Sequence, residues 1–138
     1  MDSSDPAVSK TLRLGWILLA VWLPLGLTLE ALHGFKVAVY LASQLRRELW
    51  TLAHAHGSML GILCLLFASL APRTLHGQAL TGAGRALRTA AILMPVGFFL
   101  GGVLNSEGDA SPGILLVPVG ALFLLFALVR AALGSRSA

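Results

Sequence analysis

The chain has 138 residues, 57% of them hydrophobic and 12% charged, with a formal net charge of +4. Soluble domains carry about 25% charged residues, so this composition excludes an ordinary soluble domain and points to apolar runs able to cross a bilayer. The positive charge does not describe a nucleic-acid surface, because the arginines stand singly or in pairs at the ends of apolar runs, the pattern of headgroup anchoring.

Residues 1–13 read as a polar tail, loose through MDSSDPAVS and closed by Lys10 and Arg13. A first span follows at 14–32. A positive start before an apolar run also describes a signal peptide. This run exceeds the usual apolar segment of a leader, two aspartates precede it, and no small-x-small cleavage site ends it. An uncleaved span bent at Pro24 is therefore expected. In residues 35–48, Val37, Tyr40, Leu41 and Leu45 keep helical spacing against polar Gln44, Arg46, Arg47 and Glu48. That segment reads either as an interfacial helix or as a structured loop continuing the next span.

The second span, 49–70, contains the one cysteine, Cys64, which excludes an intramolecular disulfide and a thiolate cluster. It is stopped at Ala71-Pro72-Arg73. The third, 87–104, contains Pro95 and ends in the acidic, turn-rich NSEGDASPG; the fourth, 113–133, precedes a tail at 134–138. At 1.5 Å per residue, runs of roughly 20 residues cross about 30 Å of hydrocarbon. The expected fold class is all-α, an integral membrane four-helix bundle. With four spans, Lys10, Arg13, Arg73, Arg85, Arg88, Arg130 and Arg136 share one side, and Lys36, Arg46 and Arg47 the other. The excess predicts both termini in the cytoplasm, in a membrane of the bacterial inner type.

Helix association in lipid depends on close approach of small residues. Gly57, Gly61, Cys64 and Ala68 form a small-residue stripe on span two, and Ala90, Gly97 and Gly101, with Asn105 next, form one on span three. These stripes are expected to seat spans two and three against each other.

The topology gathers polar residues at the outer ends. Glu30 and His33 close span one, His54 opens span two, and Asn105, Ser106, Glu107, Asp109 and Ser111 lie between spans three and four. Glu30 and His33 share a helical face, and His54 lies in the Gly57–Gly61 stripe. A transition metal (copper, iron or zinc) suits Glu30, His33 and His54. His56 stands about 200° from His54, with Leu60, Leu63 and Phe67, a face suited to a flat ligand such as haem. Glu30 is expected to pair with His33, His54 or an interface arginine, while Lys36, Trp16, Trp22 and Trp50 read as membrane anchors or lipid contacts.

The segment Thr51-Leu52-Ala53-His54-Ala55-His56-Gly57-Ser58-Met59 resembles the second-helix segment of the large subunit of haem-copper oxidases, which presents a haem ligand near the outer face. Ala55, His56, Gly57 and Met59 match, so the resemblance implies His56 as a haem ligand. No later span carries a histidine for an opposite axial ligand or a copper site, so oxygen reduction of the oxidase kind is not implied. A second ligand would come from His33, His54 or a partner subunit.

Three functions compete: a haem or metal protein in electron transfer; a structural or accessory subunit that holds no cofactor; and a small transporter. The cytoplasmic halves of the spans lack polar groups for a continuous path, which ranks transport last. No nucleophile elbow, His-Glu-x-x-His motif or phosphate-cradling glycine loop suggests an enzyme. The expected partners are the bilayer and other membrane subunits or a second copy, with no nucleic acid.

Overall fold

The computed structural model describes residues 5–103, 105 and 108–135. Leu104, Ser106, Glu107 and Arg136, used in the sequence reading, lie outside them. The described residues are overwhelmingly helical: α1 (Pro6–Gly34), a single turn α2 (Ala38–Leu41), α3 (Gln44–Leu70), α4 (Gly77–Val103) and α5 (Leu116–Gly134). Short 3-10 turns at Ala71–Arg73 and Pro112–Leu115 join α3 to α4 and lead into α5. Four of these helices are long and apolar enough to cross a membrane.

α1, α3 and α4 begin before their apolar runs, because local backbone signals rather than hydropathy set where a helix starts. Pro6 stands at the first turn of α1 and the Asp5 carboxylate accepts the Ala7 N–H at 2.8 Å, so the helix begins inside the stretch expected to be loose. It runs through Pro24 without interruption. At its far end Lys36 takes a left-handed φ of 53° while its N–H donates to the His33 carbonyl (3.1 Å) and the Val37 N–H to that of Leu32 (3.0 Å). This is a Schellman closure with lysine where glycine is usual.

Residues 35–48 do not form one interfacial helix. Ser43 adopts extended dihedrals and its Oγ accepts the Arg46 N–H at 3.2 Å, which starts α3 five residues before the apolar run and leaves α2 as a separate turn. Likewise α4 begins at Gly77, whose φ of 53° suits glycine, ten residues before its apolar run.

α1 packs on α3, α3 on α4 and α4 on α5, with lighter contact between α1 and α4. Alternation of direction puts both terminal segments at one end, where Val8 and Ala131 join Ala71, Leu75 and Leu80. Half of the most apolar stretch of α4 is buried (50%), against 11% for that of α5, which lies along the outside of α4. α1, α3 and α4 therefore supply nearly all of the core, with Leu18, Trp22, Leu60, Cys64 and Leu87 at its centre; α5 contributes Ala127.

The two small-residue stripes do not face each other. Gly57 and Gly61 receive α1: a Cβ on Gly57 would overlap the Trp22 ring, and one on Gly61 would stand 3.2 Å from the Gly15 carbonyl oxygen. Gly97 instead meets Leu116 and Val117 at the start of α5, and Gly101 meets Ile114 and Leu49. A bulky ring on α1 needs the deepest notch available, and Gly57 on α3 supplies it. The α4 glycines, with larger α3 side chains opposite, admit the α5 entry. Asn105 packs no helix stripe; its Nδ2 donates to Ser43 Oγ (3.0 Å) and its Oδ1 accepts from Arg46 (3.2 Å).

Candidate functional site

At the end opposite the termini, α1 and α3 lock through reciprocal side chains. Trp22 of α1 fills the space over Gly57, and His54 of α3 fills the space over Gly26, where a Cβ would overlap the imidazole. Between these contacts His54 Nδ1 lies 2.7 Å from the Trp22 carbonyl oxygen. A carbonyl only accepts, so Nδ1 carries the proton, and in the neutral ring Nε2 keeps the lone pair.

Beside this clasp opens a cavity of about 680 Å³ between α1, α2 and α3. Glu30, His33 and His54 all line it, so the structure brings together the three residues that the sequence assigns to one site. Leu23, Leu27 and Leu29 form its apolar wall, and Tyr40, Arg47 and Thr51 add polar groups that sequence reasoning did not place there. Arg47 is anchored by donation from Nη1 to the Leu41 carbonyl at 2.8 Å. Its signal was its spacing: Arg47, Thr51 and His54 follow one another at four and three residues along α3, hence on one face.

Glu30 and His33 are exposed, whereas His54 is half-buried. Of the three partners expected for Glu30 (His33, His54 or an interface arginine), His54 has its Nδ1 taken by the Trp22 carbonyl. Among the described residues, no three of His, Cys, Asp and Glu stand close enough to hold a metal ion without rearrangement.

His56 lies elsewhere, as its 200° offset requires. Its Nδ1 is 2.9 Å from the Leu52 carbonyl oxygen one turn back, and its ring stands 4.7 Å from that of Phe98 on α4, tilted 38°. The space over Gly57, the next residue in sequence, is occupied by Trp22.

A second polar knot braces the same end. Arg46 donates to the carbonyls of Val39 (2.7 Å) and Gly102 (3.0 Å) and to Asn105, tying α2 and α3 to the C-terminus of α4, where a cation is favoured. Trp50 donates from Nε1 to the Phe99 carbonyl (3.2 Å) and stacks between Tyr40 (6.2 Å) and Phe99 (5.5 Å). Phe99 in turn meets Trp22 edge-on at 6.2 Å. Trp22 and Trp50 are therefore interior joints rather than lipid anchors, while Trp16 is 61% exposed. Ser111 closes the α4–α5 connection by donating to the Leu100 carbonyl at 2.6 Å, and Asp109 is exposed. Neither lines the cavity.

Fold and site thus define, among the described residues, an all-helical protein with four potential membrane spans and an amphipathic cavity between α1, α2 and α3. Comparison with family models, characterised proteins and solved structures finds no match to this chain.

Proposed function

We propose that this is an integral membrane protein of the bacterial inner membrane, with both termini cytoplasmic, that binds a transition-metal cation in its outward cavity. The orientation rests on the seven-to-three division of lysine and arginine. The observation that carries the metal reading is the state of His54: its Nδ1 is held by the Trp22 carbonyl, in a cavity also lined by Glu30 and His33. Metal-binding imidazoles characteristically donate the other ring N–H to a backbone carbonyl or carboxylate, which fixes the tautomer and raises the basicity of the free nitrogen. Glu30 and His33 share one face at the exposed end of α1 and line the same cavity as His54. Imidazole and carboxylate donors suit copper, iron or zinc, and electron transfer applies to the first two.

Titration of the metal-free, detergent-purified protein with Cu(II) and Zn(II) tests this. One equivalent per chain is expected, with affinity lost in His33→Ala and Glu30→Gln while their metal-free thermal stability stays at the wild-type value. Absence of micromolar binding to the wild type would refute the metal reading.

A second reading, a structural or accessory subunit without a cofactor, draws support from the way the His54 ring fills the Gly26 notch. On that reading His54→Ala lowers stability and the cavity residues are silent. Haem on His56 has less support, since Phe98 already lies against that imidazole. A reduced-minus-oxidised visible spectrum tests it directly.

A further inference from the structure

At the terminal end a separate groove of about 560 Å³ runs between α1 and α4. Four cations line it, Lys10 and Arg13 from α1 and Arg85 and Arg88 from α4, and among the described residues its lining carries no carboxylate. The nearby Asp5 accepts the Ala7 N–H as the cap of α1. Below the cations the lining becomes apolar, with Leu14, Ile17 and Ile92.

The two helices present the same spacing, with Thr89, whose hydroxyl donates to the Arg85 carbonyl at 3.1 Å, at the place of Leu14. Lys10, Arg13, Leu14 and Ile17 fall at i, i+3, i+4 and i+7, and Arg85, Arg88, Thr89 and Ile92 repeat those spacings. Each set therefore occupies one helical face. The contacts of Thr11 with Arg88 (2.8 Å) and of Trp22 with Phe99 show that α1 and α4 run in the same direction at a constant offset. The cationic halves of both faces consequently coincide at the terminal end, and the apolar halves coincide one to two turns deeper. Arg88 is fixed there, its Nη1 also donating to the Ala7 carbonyl at 3.1 Å.

We infer that this groove is a binding site for one anionic phospholipid, its phosphate among Lys10, Arg13, Arg85 and Arg88 and an acyl chain along Leu14, Ile17 and Ile92. Four like charges in one groove repel unless an anion joins them, and basic pockets between spans are suited to anionic headgroups. The apolar lower half selects a lipid over a free phosphate, because inorganic phosphate leaves that half unfilled.

The test is native mass spectrometry of the full chain released from micelles containing equal phosphatidylglycerol and phosphatidylcholine. One phosphatidylglycerol is expected to be retained preferentially, with retention falling as salt rises. Arg13→Gln/Arg85→Gln removes two headgroup charges and is expected to weaken retention roughly thirty-fold. Arg73→Gln/Arg130→Gln removes the same charge outside the groove and is expected to leave retention unchanged. Arg13 and Arg85 are exposed, and protection of the buried Cys64 from a thiol reagent confirms that each variant is folded. Equal retention of the two lipids, equal loss in both double variants, or displacement by millimolar inorganic phosphate would each overturn the inference.

Discussion

Substituting Gly57 by alanine tests the α1–α3 clasp at its tightest point. In an ordinary exposed helix the change is favourable by about 1 kcal/mol. Here the new methyl group would enter the Trp22 ring. The ring has little room to retreat, being 7% exposed and backed by the edge contact with Phe99 at 6.2 Å. The alternative is separation of the helices, which loosens the Gly15–Gly61 backbone contact and the hydrogen bond from His54 to the Trp22 carbonyl. Overpacking costs about 1–3 kcal/mol and an interhelical hydrogen bond in a membrane about 0.6 kcal/mol, so a net loss of about 2 kcal/mol is expected. The protein carries its own reporter, since its single cysteine, Cys64, is fully buried in the core. A loss of 2 kcal/mol raises the open population, and with it the rate of Cys64 labelling by a thiol-reactive dye, roughly 30-fold. Combining Gly57→Ala with Trp22→Leu should cost less than the sum of the single changes, because the smaller side chain vacates the notch. Wild-type or slower labelling of Gly57→Ala, or strict additivity in the double variant, would refute the packing argument.

Three further outcomes follow from particular contacts. Lys36→Gly should stabilise the protein by about 1 kcal/mol in the same labelling assay, since lysine holds a left-handed φ of 53° that glycine adopts without penalty. Arg46→Ala should destabilise by about 2–3 kcal/mol, and Arg46→Lys should recover little, because a point charge cannot span the Val39 and Gly102 carbonyls and Asn105 together; thermal unfolding in detergent reads both. His54→Ala should lower stability by about 1–2 kcal/mol through the lost hydrogen bond and the emptied Gly26 notch, whereas His56→Ala should cost less than 1 kcal/mol, since its Nδ1 contact stays within one helical turn; comparison of the two unfolding midpoints decides.

The length of the apolar runs made the four candidate spans legible, because about 20 consecutive apolar residues have few alternatives to a membrane-crossing helix. Helix ends were less legible: Asp5-Pro6 and Ser43 are capping signals, but hydropathy gives them no weight, so α1 and α3 start earlier than their apolar runs. The meeting of Glu30, His33 and His54 followed from topology alone, since alternating spans bring the end of the first beside the start of the second. The partner of each glycine stripe did not follow. Gly57 and Gly97 look alike in sequence, and only the size of the opposing side chain, Trp22 in one case and Val117 in the other, decides which helix enters which groove. That choice depends on helix rotation, which a single stripe leaves undetermined.

The residues that build the cavity are not independent of those that hold the fold. Trp22 fills the Gly57 notch with its ring and orients His54 with its carbonyl, so the imidazole is positioned by the same contact that joins α1 to α3. Loss of ligand binding in a His54, Trp22 or Gly26 variant therefore has two causes that affinity alone does not separate. Glu30 and His33 stand outside this coupling: both are exposed on the last turns of α1, and neither fills a notch at the helix contact. Their substitution removes donors from the cavity while the clasp remains. A metal function must consequently show itself as a loss of binding at unchanged stability in Glu30 and His33 variants, and a purely structural role for the cluster as a loss of stability confined to His54.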